Sequence, residues 1–371
     1  MIRRNPAATA RGLAAVKVHS WNPEVPASPL MDPPSLRRAL FGPAWSIVAP
    51  GRSGRPRPVE PRSESAAPVC PFCEGNESET AREVFALRGA GTRPDRPGWT
   101  VRVVPNKYPA LVQEMLSPTV IATGPHEALP AMGFHEVVID VPEHDSRLTR
   151  FSLRQLETAL AVYRSRLLAL STNPTIRSMA LFRNDGRAAG ASQDHPHSQI
   201  LALPVVPTRL QHELDSAEAY FRTHHRCVTC NMLQQDLLDT RRLVAQNTHF
   251  AAVTSFTPRF PYETWVVPIS HAHDFRECDT DQIRSLAAML KRVMAALEAT
   301  LGTFPFNLVL HTAPIGDSRA TRLAFHWRLE ILPRLTIPSG FELGHGVFIV
   351  SVPPEDAADR LRSSVLPEAG G

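Results

Sequence analysis

No apolar run in the chain approaches the roughly 18 residues that a membrane-spanning helix requires, so no span is expected. Cysteine is scarce. Five residues, an odd count with no signal peptide, do not make a secreted disulfide framework. They argue instead for a reduced cytoplasm and for metal or redox use. No stripe of alternating aromatic and basic residues is present, and the net charge of +4 is mild. It is also uneven: residues 1–62 carry ten Lys/Arg against three Asp/Glu, a net of +7, which leaves −3 for the rest. The basic balance therefore belongs to an N-terminal arm. A zinc-stabilised nucleic-acid-binding protein, the reading from outside the enzymes, is disfavoured, and no nucleic-acid partner is expected.

The hydrophobic fraction of 43% and charged fraction of 20% suit a soluble globular chain long enough for two domains. Residues 1–35, rich in Ala, Pro, Arg and Ser without a clear period, read as a disordered extension. Order is expected from Ser35, with a strand over Trp45–Pro50 that leads into Arg52 and Arg55, guanidinium groups suited to bidentate phosphate contact. Apolar spacing predicts helices over residues 152–171, 209–225 and 282–301. Further strands are expected at 99–104, 135–141, 178–182, 250–254, 263–267, 306–311, 325–332 and 346–352. A last helix should follow Pro353, with Pro and acids in its first turn.

The chain is organised around Phe182 to Ile200. A strand runs into a Gly- and Ala-rich loop, and His195, His197 and Gln199 then alternate into a second apolar run. Alternate strand residues share a face, so three polar side chains point the same way. A polar strand face with two ordinary histidines is the plain alternative. The loop before it suits close approach of a phosphate to backbone N–H groups, which favours a site.

An internal repeat sharpens this. Each half has a CxxC, strands, a His, a long helix and a strand carrying His. Glu136 precedes His144 by eight residues, and Glu263 precedes His271 by eight. From that His to the next is 51 residues in one half (to His195) and 55 in the other (to His326). The repeat predicts two β-rich α+β units, residues 36–207 and 208–371, sharing one sheet or packed face to face. It also predicts two tetrahedral zinc sites: Cys70, Cys73, His144 and His195, then Cys227, Cys230, His271 and His326. Redox pairs or free thiols are the alternative. His135, His273 and His311 lack such spacing and are expected to be structural or superficial. With His195 on metal, His197 is left as a neutral imidazole able to attack phosphorus, and Gln199 is placed to hold a phosphate oxygen.

The segment Asn184-x-Gly186-x3-Gly190-x-Ser192-x2-His195-Pro-His197-Ser-Gln199 resembles the signature of the galactose-1-phosphate uridylyltransferases, of the histidine-triad superfamily. The likeness covers roughly residues 36–365. It implies antiparallel sheets with helices packed on them, in two tandem histidine-triad-like units. It implies a cytoplasmic ping-pong enzyme that moves a nucleotide between a nucleotide sugar and a sugar 1-phosphate through His197, as a homodimer. Arg52 and Arg55, Asn106 of the Pro-Asn-Lys-Tyr-Pro turn, Asn184, Gly190 and Ser192 are then substrate contacts. Cys227 and Cys230 look like a related two-zinc branch that includes an ADP-glucose phosphorylase, for which the acceptor is phosphate. His326-Trp-Arg-Leu-Glu330 departs from the further histidine-rich metal motif of the best-known members. In Gly340-Phe341-Glu-Leu-Gly344 only Phe341 and a glycine persist from the acceptor-sugar segment.

Overall fold

The computed structural model describes residues 34–38, 45–48, 69–113, 121–123 and 126–364. The expected extension lies almost wholly outside these residues, as do Arg52 and Arg55. In chain order the strands are β1 (Ser35–Arg38), β2 (Trp45–Val48), β3 (Phe85–Arg88), β4 (Trp99–Pro105), β5 (Ile121–Thr123), β6 (His126–Pro130), β7 (Phe134–Ile139), β8 (Ser178–Asp185), β9 (His197–Leu203), β10 (Leu243–Gln246), β11 (Phe250–Thr254), β12 (Thr264–Pro268), β13 (Phe306–His311) and β14 (Arg328–Pro333). The helices are α1 (Leu153–Ser171), α2 (Thr208–His224), α3 (Val228–Asp239), α4 (Thr280–Leu301), α5 (Arg319–Ala324), α6 (Gly340–His345) and α7 (Pro354–Ser364).

Of the two arrangements the repeat allows, the chain takes the shared sheet. Ten strands run in the order β10-β11-β12-β14-β13-β8-β9-β7-β4-β3, and every named pair is antiparallel. The halves join where β8 meets β13, with Phe182 opposite Val309. Phe182 also faces Gln199, and Val309 faces Glu330, so the two occupy equivalent places. An approximate twofold axis therefore passes through the Phe182–Val309 pair. The equal Glu-to-His spacings do not carry over to strand alignment. Val137 faces Gln199, whereas Trp265, one residue further along, faces Glu330.

One face of the sheet is covered by α1 and α4. Both begin with capping boxes, Ser152 with Gln155 and Asp279 with Gln282, which satisfy N–H groups that a first turn leaves open. Leu156, Leu160 and Leu167 of α1 and Leu286, Leu290, Val293 and Leu297 of α4 recur at helical spacing and are buried in one core with Val101, Val138, Ile200, Val266 and Leu329. Each such side chain contributes about 1.5–3 kcal/mol through burial. The smaller sheet, β2-β1-β6-β5, is joined on by Leu36, Leu111, Ala131 and Leu203.

The expected strand over residues 346–352 does not form. Its apolar residues have β propensity, but β14 is already paired on both sides, by β12 and β13. Val347 and Ile349 stand exposed instead. The strand expected from Phe325 starts at Arg328, because α5 runs to Ala324 and Phe325 caps it.

Candidate active site and metal centres

Strand β9 divides its side chains between two environments. Ile200 and Ala202 point into the helix-covered core, and Ser198 points the same way. There Ser198 meets the hydroxyl of Tyr163 on α1 at 2.7 Å. The Tyr163 hydroxyl donates to Asp140 at 2.6 Å, Ser198 Oγ donates to Asp140 at 3.2 Å, and Arg183 donates to Asp140 at 2.5 Å. This buried set clamps the strand from below, between His197 and Gln199. The equivalent places of Arg183 and Ser198 in the second half hold Leu310 and Leu329, both buried.

His197 and Gln199 project from the other face into a cavity of about 250 Å³, lined also by Phe72, Val104, Asn106, Lys107, Tyr108, Ser192 and Gln193. His197 Nδ1 donates to the His195 carbonyl at 2.8 Å, so the neutral ring carries its lone pair on Nε2. Phe72, inside the first CxxC, packs its ring 5.2 Å from that of His197 and 6.2 Å from that of His195. The register of β8 and β9, continued by two residues, sets Asn184 across from His197. Asn307 of β13 donates to Asn184 Oδ1 and to the Ala189 carbonyl, both at 2.8 Å. The second half thus steadies the first half's loop. Gly186 and Gly190 have φ of 79° and 86°, conformations that glycine adopts without strain.

The structure brings His197, Gln199, Asn106 and Ser192 to one cavity, with Asn184 and Gly190 beside it. It does not bring Phe341 there. That residue lies on α6, is 46% exposed and stacks on His345. His135 was expected to be structural or superficial. It is buried next to Gln199, with Nε2 2.9 Å from Gln199 Oε1, which is the structural of the two roles. Nothing in its immediate sequence signals this. Its place follows from the pairing of β7 with β9, which brings it beside Gln199.

Both expected ligand sets assemble, and the four ligand atoms of each lie within 4.8 Å of one another. A tetrahedral ion bonded to sulfur at about 2.3 Å and to nitrogen at about 2.05 Å sets S and N about 3.5 Å apart. Cys73 Sγ lies 3.4 Å from His144 Nδ1 and 3.7 Å from His195 Nδ1. Cys230 Sγ lies 3.4 Å from Nδ1 of both His271 and His326, and Cys227 Sγ lies 3.9 Å from His326 Nδ1. His195 Nε2 donates to the Val141 carbonyl and His271 Nε2 to that of Arg322, each at 2.8 Å, which leaves both Nδ1 lone pairs for a metal. Burial pushes His195 down to about 4, and His144 adds to this, so the ring is neutral as a ligand must be. Burial and the adjacent Cys70 push the Cys73 thiol up to about 11, a tendency that a divalent cation reverses. The residues fit a metal at both places.

The second half builds a different surface at the matching position. Arg328 and Glu330 stand where His197 and Gln199 stand, beside a cavity of about 1050 Å³. Arg328 donates to Glu330 at 2.8 Å and to Glu213 at 3.1 Å, and lies 4.6 Å over the ring of Trp265. Arg259 pairs with Glu263 and Glu330. Burial alone would raise the Glu330 carboxyl. His311, with Nε2 3.1 Å from Glu330 Oε2, and the charges of Arg328 and Arg259 outweigh it and hold the group well below the usual carboxylate range. A closed set of ion pairs stands where the first half has His197 and Gln199.

Comparison with known proteins gives these features a class. A family model described as "Galactose-1-phosphate uridyl transferase, N-terminal domain" matches residues 92–207, and one described as "Domain of unknown function (DUF4921)" matches residues 159–368. ADP-glucose phosphorylase of Arabidopsis thaliana is 32% identical over 339 residues, which cover 90% of this chain and 93% of the relative. Galactose-1-phosphate uridylyltransferase of Thermotoga maritima is 27% identical over 327 residues, covering 86% and 95%. The crystal structure of the Arabidopsis thaliana ADP-glucose phosphorylase with bound ADP-glucose is similar at a TM-score of 0.70 and 31% identity, covering 89% of this chain and 98% of that one. The fold and the comparisons together define a nucleotidyltransferase whose two halves share one antiparallel sheet. The chain belongs to the galactose-1-phosphate uridylyltransferase family, which includes ADP-glucose phosphorylase.

Proposed function

We propose that this chain transfers a nucleotide in two displacements at His197. Nε2 attacks the α-phosphorus of a nucleotide sugar, the bond to the bridging oxygen breaks, and a sugar 1-phosphate leaves. A phosphate oxygen of the acceptor then attacks the same phosphorus and restores the imidazole. The observation that carries this reading is the Nδ1–H bond to the His195 carbonyl, which leaves the unprotonated nitrogen of the cavity-lining ring at Nε2. Gln199 and Asn106 bind phosphate oxygens, the loop with Gly190 and Ser192 approaches through its backbone, and Arg52 and Arg55 contact the phosphates.

Cys70, Cys73, His144 and His195 would hold a structural zinc, which would fix the start of β9 and, through Phe72, the ring of His197. Cys227, Cys230, His271 and His326 would hold a second, anchoring the other half. The unit over residues 36–207 carries the chemistry, and that over 208–371 carries support and acceptor contacts. Leu335, Ile337, Leu343, Val347 and Ile349 are exposed around α6. They support pairing with a second copy, which would bring Phe341 to a partner's cavity. None of the five cysteines is joined in a disulfide, in keeping with action in the cytoplasm.

A UDP-sugar donor with a sugar 1-phosphate acceptor is the leading assignment, supported by the match over residues 92–207. An ADP-sugar donor with phosphate as acceptor is the second, favoured by the 32% identity to ADP-glucose phosphorylase and by the two Cys/His sets. The test is to incubate the protein with UDP-glucose or ADP-glucose and weigh it. The nucleotide it carries names the donor, and no mass gain with either defeats both assignments.

A further inference from the structure

We infer that His135 is a positioning residue that fixes which end of the Gln199 side-chain amide faces the phosphate. The inference rests on the nucleotidyl-transfer reading above. A glutamine beside a phosphate helps only with its NH2 toward the oxygens; turned over, its carbonyl repels them. Four contacts decide the orientation here. The Ala110 backbone N–H donates to His135 Nδ1 at 3.1 Å, so the neutral ring carries its proton on Nε2. That N–H donates to Gln199 Oε1 at 2.9 Å. The Tyr108 backbone N–H donates to Asn106 Oδ1 at 2.9 Å, which turns the Asn106 NH2 toward the His135–Gln199 contact, 3.2 Å from His135 Nε2 and 3.5 Å from Gln199 Oε1.

Two donors thus converge on the glutamine oxygen, each oriented by a main-chain N–H of the turn after β4. The oxygen is held, and the NH2 is directed away from it. The Asn106 N–H also donates to the His135 carbonyl at 2.8 Å, which ties the turn to β7. His135 and Gln199 are each 6% exposed, so water competes little for these bonds. The residue acts through Gln199 and reaches no reacting atom itself.

The test uses the full-length metal-loaded protein and whichever of UDP-glucose or ADP-glucose labels it. His135→Leu removes the donor. His135→Gln restores an amide N–H near the place of Nε2. Single-turnover nucleotidylation should slow between about 10- and 100-fold in His135→Leu with the donor KM little changed, short of the loss from deleting an oxyanion donor outright. His135→Gln should recover most of the rate. In a Gln199→Ala background, His135→Leu should add nothing. Three results overturn the inference: unchanged labelling in His135→Leu, equal loss in the Leu and Gln variants, or an undiminished effect in the Gln199→Ala background. If the unmodified protein takes no nucleotide from either donor, the nucleotidyl-transfer reading itself falls, and this inference with it.

Discussion

Replacing Arg183 with methionine should destabilise the protein strongly, while replacing Asp140 by leucine at the same time should restore much of the loss. Asp140 is 1% exposed, and Arg183 is 2% exposed. Burial lifts the Asp140 carboxyl above its ordinary range even with the guanidinium against it, a sign that desolvation offsets much of the attraction. Arg183→Met leaves a buried carboxylate held only by Tyr163 and Ser198, and also removes the 3.2 Å contact to Asp185. Breaking a buried pair from one side costs about 3–5 kcal/mol, whereas an apolar pair of similar volume is often close to neutral. Tyr163 and Ser198 would still bond each other at 2.7 Å. The second half already carries Leu310 and Leu329 where Arg183 and Ser198 stand, so the sheet tolerates apolar residues there. Equilibrium urea denaturation of the two single variants and the double variant gives the coupling directly. A cost below about 1 kcal/mol for Arg183→Met, or a double variant no better than the single, refutes the reasoning.

Metal analysis should find two zinc ions per chain, and one in either Cys73→Ala or Cys230→Ala. Each variant should lose more than about 3 kcal/mol of stability, read by urea denaturation, because structural zinc contributes to folding directly. Cys73→Ala should also slow nucleotidylation, since Phe72 and His197 lean on that site. Acid should weaken the second half. Glu330 is held well below the ordinary carboxylate pKa, so its contribution is complete above about pH 4.3 and is lost as pH falls toward the folded value. The urea midpoint should therefore drop below about pH 4.5, more steeply than in Glu330→Gln, and equal slopes would count against the ion-pair network.

The parts of the site that could be read from the sequence are those encoded by short-range spacing. The CxxC pairs with their histidines specify chemistry whatever the fold, and strand alternation alone put His197 and Gln199 on one face. Long amphipathic helices such as α1 and α4 were equally plain. What stayed hidden depends on which strands become neighbours. His135 matters because β7 lies beside β9, and Asn307 steadies Asn184 because β13 pairs with β8 across the pseudo-twofold axis. The Asp140–Arg183 pair spans 43 residues and leaves no local pattern. Strands β3 and β10, four residues each, are too short for alternation to stand out. Residues 346–352 have the composition of a strand, but β14 before them is already paired on both sides, and propensity does not reveal which strands are taken.

The most direct measurement is peptide-level mass spectrometry of the protein quenched after mixing with the donor nucleotide sugar. The account predicts one nucleotide bound through phosphorus to His197. It predicts no adduct and no turnover in His197→Ala, whose circular dichroism and zinc content should match those of the unmodified protein. An adduct on another residue, or sustained turnover in a folded His197→Ala variant, would contradict it.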